Sequence, residues 1–218
     1  MELQGKKIAF LGDSITEGVG TSSVEHVYWK VVERLSGANC YGYGISGTRI
    51  APQRMPSEEP SFDRYFDSRV DDMIPDADVI VVFGGTNDFG HGDAAFGTMD
   101  DRTGETFYGA LHLLLLHLIN RYPTAQLVVM TPLHRCSEDE NSYNEWGIPR
   151  QGKLLRYVDA ICEAAAFYGI PVVDLYRTCS IQPRVPVLME RYMPDGLHPN
   201  DAGNELIAKR LLGVLKTL

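Results

Sequence analysis

Ser14 has the residue type and the sequence surroundings of a catalytic nucleophile. It lies in the segment Gly12-Asp13-Ser14-Ile15-Thr16-Glu17-Gly18, which directly follows an apolar run. The turn after a buried strand is where a nucleophile or a phosphate-binding loop would lie. The segment also matches a helix capping box, S/T-x-x-E. However, Gly18 and Gly20 follow closely, and glycine disfavours a helix. By itself the segment leaves a catalytic and a structural interpretation open.

Asp195 and His198 could supply the acid–base partners of such a nucleophile. In Asp195-Gly196-Leu197-His198-Pro199 the carboxylate precedes the histidine by three residues, so that a tight turn can join the two side chains. A hydrogen bond between them would fix the tautomer of the ring and stabilise the imidazolium that forms during catalysis. The alternative is a polar loop before the last helix, with His198 near the positive end of that helix.

Two glycine-containing segments could donate hydrogen bonds to a developing oxyanion. Asn87, in Gly84-Gly85-Thr86-Asn87-Asp88, follows the most strand-like run of the sequence, and its amide would point into a crevice. Gly47, in Gly44-Ile45-Ser46-Gly47-Thr48, could bring its backbone N–H close to a substrate. Loop bracing and a plain turn are the structural alternatives. Together the motifs contain a nucleophile, a base, an orienting acid and oxyanion donors, which are the parts of acyl transfer from a serine.

The elements that must position these motifs alternate between strand-like and helical patterns. Strands are predicted at residues 7–11, 40–45, 79–83, 127–130 and 171–174. Helices are predicted at residues 27–35, 106–121, 153–167 and 205–215, the last capped by Asn200 or Asp201. Strands that are apolar on both faces and separated by helices predict a parallel sheet covered on both sides. We expect a single domain over residues 1–218.

Three long stretches, residues 51–70, 89–105 and 136–151, fit neither a helix nor a strand. Each follows a predicted strand, and the loops after the carboxyl ends of parallel strands surround the ligand crevice of such sheets. We therefore expect all three stretches to converge on one site. The candidate substrate-binding residues are Asp13, Phe89, His134 and Trp146.

Charge, cysteine spacing and hydropathy limit the kinds of function that the protein can have. The formal net charge is −9 and no cluster of Lys and Arg is present, which argues against a nucleic-acid partner. The four cysteines show neither CxxC nor zinc-ligand spacing, so free thiols in a reducing compartment are expected. No apolar run has the length of a signal-peptide core or a membrane span, and we expect a cytoplasmic location.

With these motifs the sequence resembles the SGNH hydrolases, also called the GDSL esterase/lipase family. Gly12-Asp13-Ser14 is similar to the first block of that family, and Gly47 to the glycine of the second. Asn87 matches the third block, Gly-x-Asn-Asp, and Asp195 and His198 match the Asp-x-x-His of the fifth. The four blocks occur in the order of the family and span nearly the whole chain, which makes the resemblance specific.

The resemblance implies a flavodoxin-like, three-layer α/β/α domain with a five-stranded, mainly parallel sheet. It implies Ser14 as the nucleophile, His198 as the general base and Asp195 as the group that orients His198. It further implies an oxyanion hole formed by the Ser14 N–H, the Gly47 N–H and the Asn87 side chain, with no metal and no cofactor. One departure lies before Gly47, where the asparagine often seen a few residues upstream is displaced.

The predicted function is hydrolysis of a small-molecule carboxylic ester through an acyl-enzyme. The aromatic and polar residues of the three loops favour a short acyl group on a polar alcohol, such as an acetylated carbohydrate, because a long-chain lipase should have a more aliphatic wall. A lysophospholipase or an acyl thioesterase could use the same machinery. The alternative from another class is a non-catalytic ligand-binding α/β module, for example a phosphate binder. The turn from Gly12 to Gly20, which would form the phosphate cradle, contains neither the P-loop ending Lys-Ser/Thr nor the pattern G-x-G-x-x-G.

Overall fold

A parallel sheet forms the centre of the protein. A computed structural model describes residues 1–139 and 149–218. Its strands are β1 (Lys7–Gly12), β2 (Asn39–Gly44), β3 (Val79–Phe83), β4 (Gln126–Met130) and β5 (Val172–Val173). They lie in the order β2-β1-β3-β4-β5, and every pairing between them is parallel. The predicted five-stranded sheet is confirmed, and over the described ranges it is parallel throughout.

Helices cover both faces of this sheet. They are α1 (Ser14–Glu17), α2 (Tyr28–Ser36), α3 (Thr86–His91), α4 (Phe107–Arg121), α5 (Leu154–Phe167), α6 (Leu175–Thr178), α7 (Pro186–Tyr192) and α8 (Asp201–Leu215). One face packs against α4 and α5, and the other against α2 and α8. The three-layer α/β/α architecture is therefore confirmed. In the part of the chain that the structure describes, no helix has both the length and the apolar character needed to cross a membrane.

Successive residues of β1 supply the two apolar layers in turn. Ile8 and Phe10 pack among the residues of α2 and α8, whereas Ala9 and Leu11 pack among those of α4 and α5. All four are fully buried. Burial on both faces explains why the sequence of this strand is continuously apolar and does not alternate between apolar and polar residues.

Several elements differ from the sequence-based prediction. The predicted loop at residues 89–105 begins later than expected, because Phe89, Gly90 and His91 belong to α3. The predicted loop at residues 51–70 contains 3₁₀ segments at Pro60–Asp63 and from Asp67 onward. The predicted loop at residues 136–151 lies only partly within the described ranges. Helices α6 and α7 were not predicted at all.

The last helix includes the predicted residues 205–215 and begins directly after Asn200, one of the two expected caps. Its first residue is Asp201, and the Asn200 side chain accepts a hydrogen bond from the Gly203 N–H. The cap matters for the site because His198 lies two residues before Asn200.

Asn204 ties this helix to α2 and to the segment that carries His198. Its side chain is fully buried and accepts the Tyr28 N–H at 2.9 Å. Its amide nitrogen donates to the carbonyl oxygens of Pro199 at 2.9 Å and Asn200 at 3.1 Å. A side chain that satisfies three buried backbone groups fixes both elements relative to each other.

Replacing Asn204 by alanine should therefore destabilise the protein measurably. The substitution leaves the Tyr28 N–H and the Pro199 carbonyl without this partner, and each such buried group costs about 1–3 kcal/mol. The Asn200 carbonyl keeps the backbone N–H of residue 204. We expect the free energy of unfolding, measured by urea denaturation, to fall by about 2–4 kcal/mol. Asn120→Ala is the matched control, because Asn120 is exposed and bonds only the Leu116 carbonyl within its own helix. Equal stability of the two variants would contradict this role of Asn204.

Candidate active site

Ser14, His198 and Asp195 form a hydrogen-bonded chain. The Ser14 Oγ atom lies 3.0 Å from His198 Nε2, although the two residues are 184 positions apart. On the other side of the ring, His198 Nδ1 lies 2.7 Å from Asp195 Oδ2. A hydroxyl, an imidazole and a carboxylate in this order can transfer a proton from the hydroxyl and stabilise the resulting imidazolium. The structure thus brings together the three residues that the sequence motifs had predicted as a set.

Ser14 is the first residue of α1, immediately beyond β1. Asp13 caps this helix, because its Oδ1 accepts the Ile15 N–H at 3.0 Å. The carboxylate of Glu17 does not return to the helix start but accepts hydrogen bonds from Ser46. The capping-box interpretation of Ser14 and Glu17 is therefore wrong, and the Ser14 hydroxyl is directed to His198 instead.

A tight turn holds Asp195 against His198. The second carboxylate oxygen of Asp195, Oδ1, accepts the N–H groups of Leu197 at 2.9 Å and His198 at 2.7 Å. Gly196 adopts the left-handed conformation, with φ of 77°, that this turn requires. Burial disfavours the charged carboxylate, but these two N–H groups and the His198 ring outweigh it and lower the pKa of Asp195. Asp195 is consequently an ionised partner of His198 at neutral pH.

The two predicted oxyanion donors lie in the same cleft as Ser14. Asn87, on α3, donates from Nδ2 to the Thr48 carbonyl at 2.9 Å, and an amide nitrogen carries a second N–H. Gly47 has a φ of 73°, and the Phe62 ring packs where its side chain would lie. Within residues 1–139 and 149–218, the N–H groups of Ser14 and Gly47 have no hydrogen-bond acceptor. Such N–H groups can bind an oxyanion without first breaking another bond.

The cleft itself has a volume of about 370 Å³. It is lined by Ser14, Val19, Ser46, Gly47, Phe62, Asn87, Gly90, His91, Arg135, Arg150, Leu197 and His198. Each of the three stretches that were expected to converge contributes to this lining, through Phe62, Gly90 with His91, and Arg150. That convergence is confirmed, and it results from the position of each stretch beyond the carboxyl end of a strand.

His91 on the cleft wall is held as a neutral ring. The Arg49 Nη1 atom lies 2.8 Å from His91 Nδ1. A guanidinium group has no acceptor, so Nδ1 must accept and the ring proton resides on Nε2. Burial, together with the positive charges of Arg49 and Arg135, lowers the pKa of His91 to about 3. Arg49 is itself buried and also pairs with Asp63 at 2.9 Å.

The four candidate substrate-binding residues have other positions. Asp13 is buried as the cap of α1. Phe89 is buried beneath Arg135 and Arg150, whose guanidinium groups lie 5.6 and 4.5 Å from its ring centroid. These two residues do not line the cleft.

His134 is also outside the lining, because it pairs with a buried carboxylate. Its Nδ1 atom lies 2.9 Å from Glu138 Oε2, and its ring packs on Tyr176 with 3.8 Å between centroids. The fourth candidate, Trp146, lies outside the described residues. Apart from Ser14, Gly47, Asn87 and His198, no lining residue was among the named candidates. Val19, Ser46 and Leu197 adjoin or lie within the sequence motifs, which was the available signal.

Comparison with known proteins agrees with this geometry. A model of the GDSL-like lipase/acylhydrolase family matches residues 10–206. The chain belongs to this family. It is accordingly an ester-hydrolysing enzyme of the esterase/lipase type, as the resemblance in the sequence implied.

Solved structures resemble this GDSL-like hydrolase over almost its entire length. A protein from Lactobacillus plantarum is 32% identical, with a TM-score of 0.81, and the match covers 99% of this chain and 98% of that one. A lipase/acylhydrolase from Enterococcus faecalis is 22% identical, with a TM-score of 0.65 and coverage of 97% and 96%. An acetyl xylan esterase is 23% identical, with a TM-score of 0.66 and coverage of 96% and 99%. The similarity to the last two structures shows a shared fold alone. No match was found among curated proteins.

In this GDSL-like hydrolase, two carboxylates are buried close to the cleft. Burial raises the pKa of Asp13 to about 7, against the opposing effect of the Ile15 N–H. Burial likewise raises the pKa of Asp88 to about 6, although its carboxylate accepts the N–H groups of Ala51 at 2.9 Å and Ile50 at 3.0 Å. Each carboxylate is also a structural acceptor, Asp13 for α1 and Asp88 for the loop after Gly47.

The raised pKa of Asp13 predicts a specific dependence of stability on pH. Between about pH 4 and about pH 7 the folded protein keeps the Asp13 proton that the unfolded chain has lost. The contribution of Asp13 to the free energy of unfolding therefore falls as the pH rises through this window. Asp13→Asn keeps an oxygen for the Ile15 N–H but cannot ionise. We expect its stability relative to the unaltered protein to increase across the window by up to about 4 kcal/mol.

Urea denaturation at several pH values between these limits measures the effect. Asp100→Asn is the matched control, since it makes the same chemical change at an exposed aspartate. Parallel stability curves for Asp13→Asn and the unaltered protein would show that Asp13 is ionised in the fold throughout the window.

Proposed function

We propose that this enzyme is a serine esterase in which Ser14 is the nucleophile, His198 the general base and Asp195 the group that orients His198. The observation that carries the proposal is the short chain of contacts from Ser14 Oγ through both nitrogens of His198 to Asp195, at 3.0 and 2.7 Å. This chain lies at the wall of the cleft, beside two N–H groups with no described acceptor. We further propose that residues 1–218 act as one hydrolase domain.

The reaction follows from the positions of these groups. His198 Nε2 takes the proton of the Ser14 hydroxyl as Oγ attacks the ester carbonyl, and the carbonyl oxygen becomes an oxyanion. The Ser14 N–H, the Gly47 N–H and the Asn87 amide donate to that oxygen. His198 then gives its proton to the leaving alcohol, and an acyl-enzyme remains on Ser14. Water repeats the sequence and releases the acid, with no metal or cofactor.

The proposed substrate is an ester of a short acyl group with a polar alcohol, such as an acetylated carbohydrate. The volume of about 370 Å³ lies near the lower end of the range for ligand pockets. Among the described residues, the lining combines the apolar side chains of Val19, Phe62 and Leu197 with those of Ser46, Asn87 and Arg135, which offer hydrogen-bonding groups. The acetyl xylan esterase with the same fold makes a carbohydrate ester a reasonable first substrate to assay. A lysophospholipase or an acyl thioesterase is the alternative.

Replacing Ser14 by alanine should leave the fold intact and abolish turnover. Without the hydroxyl no acyl-enzyme can form, and we expect kcat to fall by at least about 10⁴-fold. The assay is hydrolysis of p-nitrophenyl esters from acetate to palmitate. Ser68→Ala is the control, because Ser68 is exposed and its hydroxyl bonds only the Tyr65 carbonyl. Substantial turnover by Ser14→Ala would contradict the proposed mechanism.

The same ester series separates the substrate proposals. Turnover that peaks at acetate supports the short-acyl substrate, and turnover that peaks at long chains favours the lysophospholipase or thioesterase alternative. If no ester is hydrolysed, labelling of Ser14 by a serine-directed phosphonate distinguishes an active nucleophile with a demanding substrate from a site that only binds ligand.

Replacing Asn87 by alanine tests the oxyanion hole. Loss of one such donor typically lowers kcat by about 10²–10³-fold, because the donor acts on charge that develops only in the transition state. We expect a loss of this size with KM changed by less than about threefold. The melting temperature must be recorded too, since Asn87 also bonds the Thr48 carbonyl. A fall in kcat of under about threefold would show that Asn87 only joins α3 to the loop after β2 and does not stabilise the oxyanion.

A further inference from the structure

Glu17 connects the helix of Ser14 to the turn of Gly47. It is the last residue of α1, and its Oε2 accepts hydrogen bonds from the Ser46 N–H, at 2.7 Å, and from the Ser46 hydroxyl. Ser46 and Gly47 share a peptide unit, and the N–H of that unit is the proposed Gly47 donor. The carboxylate therefore holds the chain one residue before the donor.

The rest of this turn is held close to α1 by backbone contacts. The Ile45 N–H donates to the Gly12 carbonyl at 3.2 Å, and the Thr48 N–H makes a long bond of 3.4 Å to the Ile45 carbonyl. A side chain at Gly44 would lie 2.1 Å from the Glu17 nitrogen, so the turn and the helix are in direct backbone contact. These contacts fix where the turn lies, whereas the bonds from Glu17 act on Ser46 itself.

We propose that Glu17 is a positioning residue for the oxyanion hole, which keeps the Gly47 N–H directed at the point that the Ser14 N–H also serves. The proposal rests on the serine mechanism proposed above. Ser14 and Glu17 are the two ends of a single four-residue helix. Glu17 thereby links the helix that carries the Ser14 hydroxyl and the Ser14 N–H to the turn that carries the Gly47 N–H.

A carboxylate suits this task because charge-assisted hydrogen bonds are shorter and about twice as strong as neutral ones. Donors that are oriented before the reaction require no reorganisation when the oxyanion forms. A donor displaced by about 1 Å can cost up to about 10²-fold in rate. Since the oxyanion exists only in and near the transition state, the effect belongs in kcat rather than in KM.

Two substitutions test the proposal in the full-length enzyme. Glu17→Ala removes both bonds to Ser46, and we expect kcat to fall by about tenfold or more with KM within about twofold of its original value. Glu17→Gln keeps an acceptor oxygen but loses the charge, and we expect a smaller fall in kcat. Glu25→Ala is the matched control, because Glu25 is an exposed glutamate in the 3₁₀ segment Val24–His26 whose side chain is not part of the cleft lining.

Inhibition by a methyl trifluoromethyl ketone provides a readout that a purely structural role would not change. Attack by Ser14 converts this ketone into a hemiketal with an oxyanion, so its inhibition constant reports on the oxyanion hole. We expect Glu17→Ala to raise that constant by the same factor by which it lowers kcat/KM. Melting temperatures identify any loss of activity that comes from unfolding. If Glu17→Ala is unstable, the same kinetic and inhibition constants are measured for Glu17→Gln.

Several outcomes would overturn the proposal. They are a kcat within about twofold of the original for both variants, a change confined to KM, or an unchanged inhibition constant for the ketone. Failure of the underlying mechanism looks different, because Ser14→Ala would then retain turnover. If Ser14→Ala is inactive and Glu17→Ala is not impaired, only the positioning role of Glu17 is refuted.

Discussion

The parallel pairing of β1 with both β2 and β3 is the constraint on which the site depends. In the register of these strands, Gly12 lies opposite Gly44 on one side and Phe83 on the other. The three strands therefore end at the same level of the sheet. Ser14, Gly47 and Asn87 each lie two to four residues beyond one of these ends. Parallel strands thus bring together a serine hydroxyl, a glycine N–H and an asparagine amide from distant parts of the chain, at the edge where ligands bind in such sheets.

His198 and Asp195 reach this edge by a different route, because they precede a helix rather than follow a strand. Helix α8 packs on α2, and Asn204 joins both to the Pro199 carbonyl next to His198. A side chain at Gly20 would lie 2.8 Å from that same carbonyl oxygen, so the loop after α1 is also in close contact with this segment. The 3.0 Å contact between Ser14 and His198 is consequently set by the packing of two helices on one face of the sheet.

The sequence was sufficient to predict the sheet and the ester-hydrolase family but not the cleft wall. Fully buried parallel strands are continuous apolar runs, and the motifs are short, so both can be recognised without tertiary contacts. Helix α3 was assigned to a loop because Gly90 and the glycines before Thr86 disfavour a helix locally. Phe89 was expected to face substrate, yet its burial beneath two arginines depends on residues about 50 positions away. The contact between Arg49 and His91, and the hydrogen bonds that Ser46 donates to Glu17, are likewise set by tertiary packing.

Buried polar groups, together with apolar side chains such as Ile50 and Phe66, hold the loop after β2 in place. Arg69 donates to the carbonyl oxygens of Gly12 and Tyr43 and to the Thr48 hydroxyl, and thereby joins the ends of β1 and β2. Asp88 accepts the N–H groups of residues 50 and 51, on the other side of this loop. Such bonds add little net stability when they are complete, but losing one partner leaves a buried group unsatisfied. A network of this kind therefore resists partial displacement of the loop, because displacement would leave several buried groups unsatisfied. An oxyanion hole requires this property, because its donors must be in place before the charge forms.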